Sequence, residues 1–187
     1  MRPLGNWFGR NLPTRYNPRG QGMAEMLLVL PFLLIFFFGV IELSQLANTH
    51  HRVSTLSREA ADAAFKTCVH DDIETESVYN ACLEGVRALI NSEAEETLLD
   101  FSTKGAVIVS LYGYNPSTGL LERLGISAET NGFHTRYNAG NIDADLLAKG
   151  HEVLAYGEVF YKNEWHTPLG KLMTFFLPQE IYEVCIF

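Results

Sequence analysis

Two carboxylates bracket the most apolar stretch of this sequence. Glu25 stands near the start of the run from Met23 to Leu43 and Glu42 near its end, and no residue between them is ionisable. A charge at the edge of a hydrocarbon-seeking helix is costly unless paired, and by default marks a functional position. The chemistry open to it is pairing with a cation. The plainer alternative is a side chain that snorkels to the interface, and this is the simpler reading of Glu42.

Other chemistry-bearing residues form no pattern. His50, His51, His70, His134, His151 and His166 make no H-E-x-x-H or similar ligand set. His151 and Glu152 open an expected strand and would point to opposite faces. There is no G-x-S-x-G, no Walker glycine loop, and no cysteine with a local base motif. The sequence therefore points to no enzyme, cofactor or metal. Cys68 and Cys82 flank "VHDDIETESVYNA". A disulfide there would close a loop worth roughly 3 kcal/mol in the chain-entropy model, if the residues lie in an oxidising space. The alternative is three plain buried thiols, with Cys185 in a terminal strand in either case.

The element that carries Glu25 and Glu42 is long. As a helix, Met23 to Leu43 spans about 31 Å, enough for a bilayer core. The four arginines of residues 1–20 face no acidic residue there. With a net charge of −8 overall, everything after Gly20 carries −12. A basic leader before an apolar run keeps the N-terminus cytoplasmic. The acidic remainder argues against nucleic acid as a partner. An ordinary signal peptide fits poorly: cutting after Ala47 puts Gln45 at the minus-three position, and cutting after Ser44 puts Glu42 there.

The remaining elements follow from periodicity. Leu46, Thr49, Val53, Leu56, Ala60 and Ala63 step by three and four, which extends the helix to about Cys68 with Arg58 and Glu59 facing solvent. "HDDIETES" breaks it. A second helix over "ESVYNACLEGVRALINSEAEETLLD" should share a face of Val78, Cys82, Val86, Leu89 and Ile90. "GAVIVSLYGYN", "HEVLAYGEVFYKNE" and "IYEVCIF" read as strands, with a hairpin turn at "NPSTG" and loops over "TNGFHTRYNAGNIDADLLAKG" and "WHTPLGKLMTFFLPQE". In the second strand Val153, Ala155, Gly157, Val159 and Tyr161 should line one face, and Leu154, Tyr156 and Phe160 the other. The expected class is α+β: a long transmembrane helix entering a small head with a second helix and an antiparallel sheet. The expected organisation is a leader (1–20), a membrane helix (21–43), its extension (44–68) and the head (69–187).

Counting from Gly20 places Glu25 fifth in the chain that follows, after a basic leader and before an apolar helix. This resembles the processing site of type IV prepilins. "RGQGMAEMLLVLPFLLIFFFGVIEL" looks in particular like the start of TadE-like proteins, the pseudopilins of the tight-adherence (Flp) pilus system. "LSREAADAAF" is similar to that family's alanine-rich element, and "VFYKNEWHTPLGKLM" to its aromatic strand and P-L turn near the C-terminus. The likeness covers about residues 19–65, is patchy at 152–187 and is absent between. Met26 departs from it, since many relatives carry an aromatic residue there.

The resemblance implies a pilin-like inner-membrane protein with a periplasmic head. A prepilin peptidase would cut between Gly20 and Gln21, and Glu25 would serve recognition and assembly. The new amine at Gln21 would be the partner of Glu25, in its own chain or a neighbouring one. Gly22 offers a competing glycine, but cutting there would make Glu25 third. Implied partners are the peptidase, sibling pseudopilins and the major pilin, the inner-membrane platform of a secretion-type machine, and the bilayer. The function implied is pilus assembly as a pseudopilin or minor pilin. The competing reading is a signal-anchored periplasmic binding or sensor domain that never polymerises.

Overall fold

The computed structural model describes residues 18–69, 75–115, 117–118, 120–140, 142, 153–165 and 178–187. Most of the leader, the interhelical break with His70, His151 with Glu152, and the P-L turn with His166 lie outside them.

Helix α1 (Pro18–Cys68) is one unbroken element of 51 residues, about 76 Å long. It contains Pro31, a residue that membrane helices accommodate better than soluble ones. Helix α2 (Glu76–Thr97) runs back beside it, and a single turn, α3 (Phe101–Lys104), follows. Between them Asp100 adopts a left-handed conformation at φ 53°. The second helix thus stops before the Asp100 expected from sequence.

Four strands form one antiparallel sheet: β1 (Gly105–Asn115), β2 (Leu120–Ile126), β3 (Val153–Lys162) and β4 (Glu180–Ile186), in the order β2-β1-β3-β4. With α1 and α2 this is the expected α+β arrangement. β2 returns from the hairpin turn and was not legible as a strand: "LLERLGI" lies on a sheet edge and is mostly exposed or half-exposed, so it lacks an apolar run.

The main core lies between the helices and one sheet face. Val53, Leu56, Ala60 and Ala64 of α1 pack with Leu83, Val86 and Ile90 of α2 and with Val107, Val109, Leu111, Ala155 and Val159 of the sheet. The apolar stripe of α1 is as expected. The buried face of α2 is not: it is Leu83, Val86, Ile90 and Ala94, while Val78 and Leu89 are exposed. It is turned by about 70° from the expected stripe, because α2 contacts α1, β1 and β2 together. Asn80 accepts the Ile126 N–H at 2.8 Å and Glu84 accepts the Ala128 N–H at 3.1 Å, pinning α2 over β2.

The second sheet face is also covered. Phe133, Tyr137 and Ile142 lie across Ala106, Ile108, Tyr112, Tyr156 and Phe160. Both faces of β3 assigned from the sequence are therefore buried, on opposite sides of the sheet.

Candidate functional site

The candidate site is the N-terminal part of α1 together with its junction to the head. From Met23 to Phe38 the apolar side chains lie bare: Leu27 is 75% exposed and Phe36 73%. Among the described residues, the head covers only the distal part of the helix and leaves this apolar surface open. Such a length of open apolar helix satisfies its own backbone hydrogen bonds and meets the length requirement of a bilayer core.

Glu25 is exposed on this bare section. The Gly20–Gln21 bond lies in the first turn of α1, whose described helix begins at Pro18. Positions 21 and 25 are one turn apart, on one face of the helix.

Glu42 is placed differently from Glu25. It is 2% exposed, buried at the point where α1 meets the underside of the head. Snorkelling to water does not describe it. Above it, Arg52 donates to the Thr97 carbonyl at the C-terminus of α2, where a helix dipole favours a cation. His50 Nε2 stands 2.8 Å from the Glu183 carboxylate on β4. Arg58 and Glu59 face solvent as expected. Partial desolvation at this exposed position, followed by the charge of Glu93, holds the Glu59 carboxyl above its ordinary value.

At the far end of α1, Cys68 is bonded to Cys82, with Cα atoms 5.8 Å apart. The disulfide ties the last turn of α1 to the second turn of α2. Cys185 is free and half-buried in β4.

Sequence reasoning missed Glu158. It is fully buried in β3 and accepts from the Thr135 hydroxyl, from the Arg136 N–H at 2.9 Å and from the Tyr182 hydroxyl at 2.9 Å. The Arg136 guanidinium lies 4.1 Å over the Tyr182 ring and donates to Glu180 at 2.5 Å. Burial and the Glu158 charge push the Tyr182 phenol well above its ordinary value. This cluster clamps the 127–140 segment to the sheet; its role is structural. The signal was present in the sequence: Glu158 shares strand parity with Leu154, Tyr156 and Phe160, and a charge inside such a face must be satisfied.

Among the described residues, no group of three or more His, Cys, Asp or Glu is placed to hold a metal ion.

Searches of curated proteins and of solved structures found no match for the chain. The family model described as TadE-like protein matches residues 20–62. It begins at Gly20, takes in Gln21, Glu25 and Glu42, and ends in the alanine-rich element at Asp62. It does not extend to the C-terminal likeness at 159–173. Over residues 20–62, the segment that carries the candidate site, the chain is similar to TadE-like proteins.

Proposed function

We propose that this chain is a membrane-anchored component of a Tad pilus system, acting as a pseudopilin or minor pilin in pilus assembly. The observation that carries this reading is the coincidence of two things on α1. The TadE-like match covers residues 20–62, and the first half of that segment is a helix whose apolar side chains the other described residues leave bare. A bare apolar helix can sit in lipid and later pack against neighbouring helices without refolding the head.

On this reading the peptidase cuts between Gly20 and Gln21 on the cytoplasmic side and leaves α1 in the inner membrane. The head then faces the periplasm, where the Cys68–Cys82 disulfide is at home. Scission creates an ammonium group at Gln21. Pairing it with Glu25 of the same or an adjacent chain offsets the cost of a carboxylate in an apolar bundle and fixes axial register. The distal part of α1 transmits that register to the head, because the sheet is packed along it.

The test is incorporation. The Glu25→Ala chain should insert in the inner membrane at the normal level, yet fail to co-purify with the other pilins in sheared pilus fractions or in the assembly complex. Normal incorporation of Glu25→Ala would contradict the register role.

A further inference from the structure

An apolar side chain stands open at the end of the head nearest the bare section of α1. Leu99, in the turn between α2 and α3, is 67% exposed. Tight turns ordinarily hold Gly, Pro, Asn, Asp or Ser. This one is fixed from both sides: Leu98 and Phe101 are buried, and the Tyr161 hydroxyl donates to the Leu99 carbonyl at 2.9 Å. With Asp100 in the left-handed region at φ 53°, the turn holds Leu99 outward. The carboxylates of Asp100 and Glu164 both bind Lys104 Nζ, at 2.8 and 3.0 Å, so most of the charge beside the leucine is matched within the chain. Trp165, half-buried, follows Glu164 at the same end, and tryptophan is a residue of membrane interfaces.

A single exposed leucine is ordinary on a protein surface; its height along α1 sets this one apart. On the membrane-anchored reading above, on which this inference rests, Leu43 ends the apolar run and marks the outer edge of the hydrocarbon. The head reaches down to that level, since Glu42 is buried. Arg52, about 14 Å beyond Leu43 along the helix, donates to the Thr97 carbonyl at the end of α2. Its side chain leans back toward the helix N-terminus, so Thr97 stands no higher than Arg52. Leu98 is extended, and the two residues after Thr97 carry the descending chain about 7 Å further down. Leu99 then stands within about 7 Å of the hydrocarbon edge, in a headgroup layer roughly 5–7 Å thick. The cleft that Leu99 shares with Glu42 and Leu46 gives the same placement.

We propose that the Leu99 turn is a foot by which the head rests on the bilayer, with the leucine inserted among the headgroups of the leaflet on the head side. The partner is a lipid surface. A single helix crossing a membrane can tilt and can turn about its own axis. A contact placed off that axis restrains both motions. The foot thereby sets which face of α1 meets a neighbouring chain, and the chain can leave the membrane only by lifting it.

The test uses the full chain, one copy per phosphatidylcholine nanodisc, in a Cys185→Ser background. A nitroxide is attached through Ser102→Cys, an exposed position of α3, so that Leu99 is kept. Electron paramagnetic resonance then compares collisions with oxygen, which concentrates in lipid, and with a water-soluble nickel chelate. The label beside the foot should be shielded from the chelate relative to one attached through Glu122→Cys on the exposed edge strand. Leu99→Ser, at an exposed position, should lower the ratio of shielded to accessible label about tenfold, as withdrawing one leucine side chain from lipid supplies. Equal chelate access at positions 102 and 122, or an unchanged ratio in Leu99→Ser, overturns the proposal. Shielding of position 102 from both reagents means cover by protein and also overturns it. A label attached through Leu30→Cys separates the two readings. Chelate access there contradicts the membrane anchor itself; oxygen access there with position 102 unshielded contradicts only the foot.

Discussion

Gly157 of β3 lies directly beneath the backbone of Ser57 on α1. A Cβ at position 157 would stand 2.4 Å from the Ser57 carbonyl oxygen, 2.7 Å from the Ala61 nitrogen and 3.0 Å from the Ala60 Cβ. Two of these atoms are helix backbone and cannot swing aside. The long helix and the sheet are therefore joined at closest approach, through small residues on both sides. This contact makes α1 and the head one mechanical unit, which the proposed transmission of register requires.

Gly157→Ala should push α1 off β3 and destabilise the head by about 1–3 kcal/mol, the usual cost of overpacking. The check is a lower midpoint of thermal unfolding with membrane insertion unchanged. An unshifted midpoint would show that the helix rides on the sheet more loosely.

The Cys68–Cys82 disulfide joins two helix ends across a separation of 14 residues. Cys68→Ser should cost roughly 3 kcal/mol, if chain entropy dominates. The native chain should migrate differently with and without reductant on a denaturing gel, and the variant should not. Equal mobility of the native chain in both conditions would place reduced thiols at these positions in the cell.

The Glu158 cluster gives the head an alkaline limit. Burial, with neighbouring Tyr137 and Tyr112, raises the Tyr156 phenol to about 12, and burial with Glu158 raises Tyr182. A phenol raised in the folded state contributes stability that is complete below its unfolded value of 10.0 and is lost as pH rises through the folded value. Unfolding midpoints should therefore fall between pH 10 and about 12. In Glu158→Gln the Tyr182 phenol should ionise at lower pH in tyrosinate absorbance, with roughly 1–3 kcal/mol of stability lost from the weakened hydrogen bonds. A phenol titration identical to the native chain would remove Glu158 from the causes of the shift.

The sequence carried the parts of the fold that repeat. The three- and four-residue steps from Leu46 to Ala63 marked the helix, and the alternation from Val153 to Tyr161 marked the two faces of β3. Elements set by tertiary context were not legible. β2 is an edge strand whose residues answer to solvent as much as to the core. The face of α2 was set by simultaneous contact with α1 and the sheet, which favoured Leu83 over Leu89. Glu42 looked like an interfacial carboxylate because nothing in its neighbours shows that the head descends over it. Glu25 was singled out for a different reason: its proposed role rests on a linear count from Gly20, which needs no fold.

That count is also the most direct point of test. The chain should be recovered from the inner membrane of cells expressing the cognate prepilin peptidase, and its N-terminal residue read by mass spectrometry. The recovered chain should begin at Gln21, and remain uncut when the peptidase is absent. A chain that still begins at or near Met1 with the peptidase present would contradict it, and would favour an anchored periplasmic domain that never polymerises.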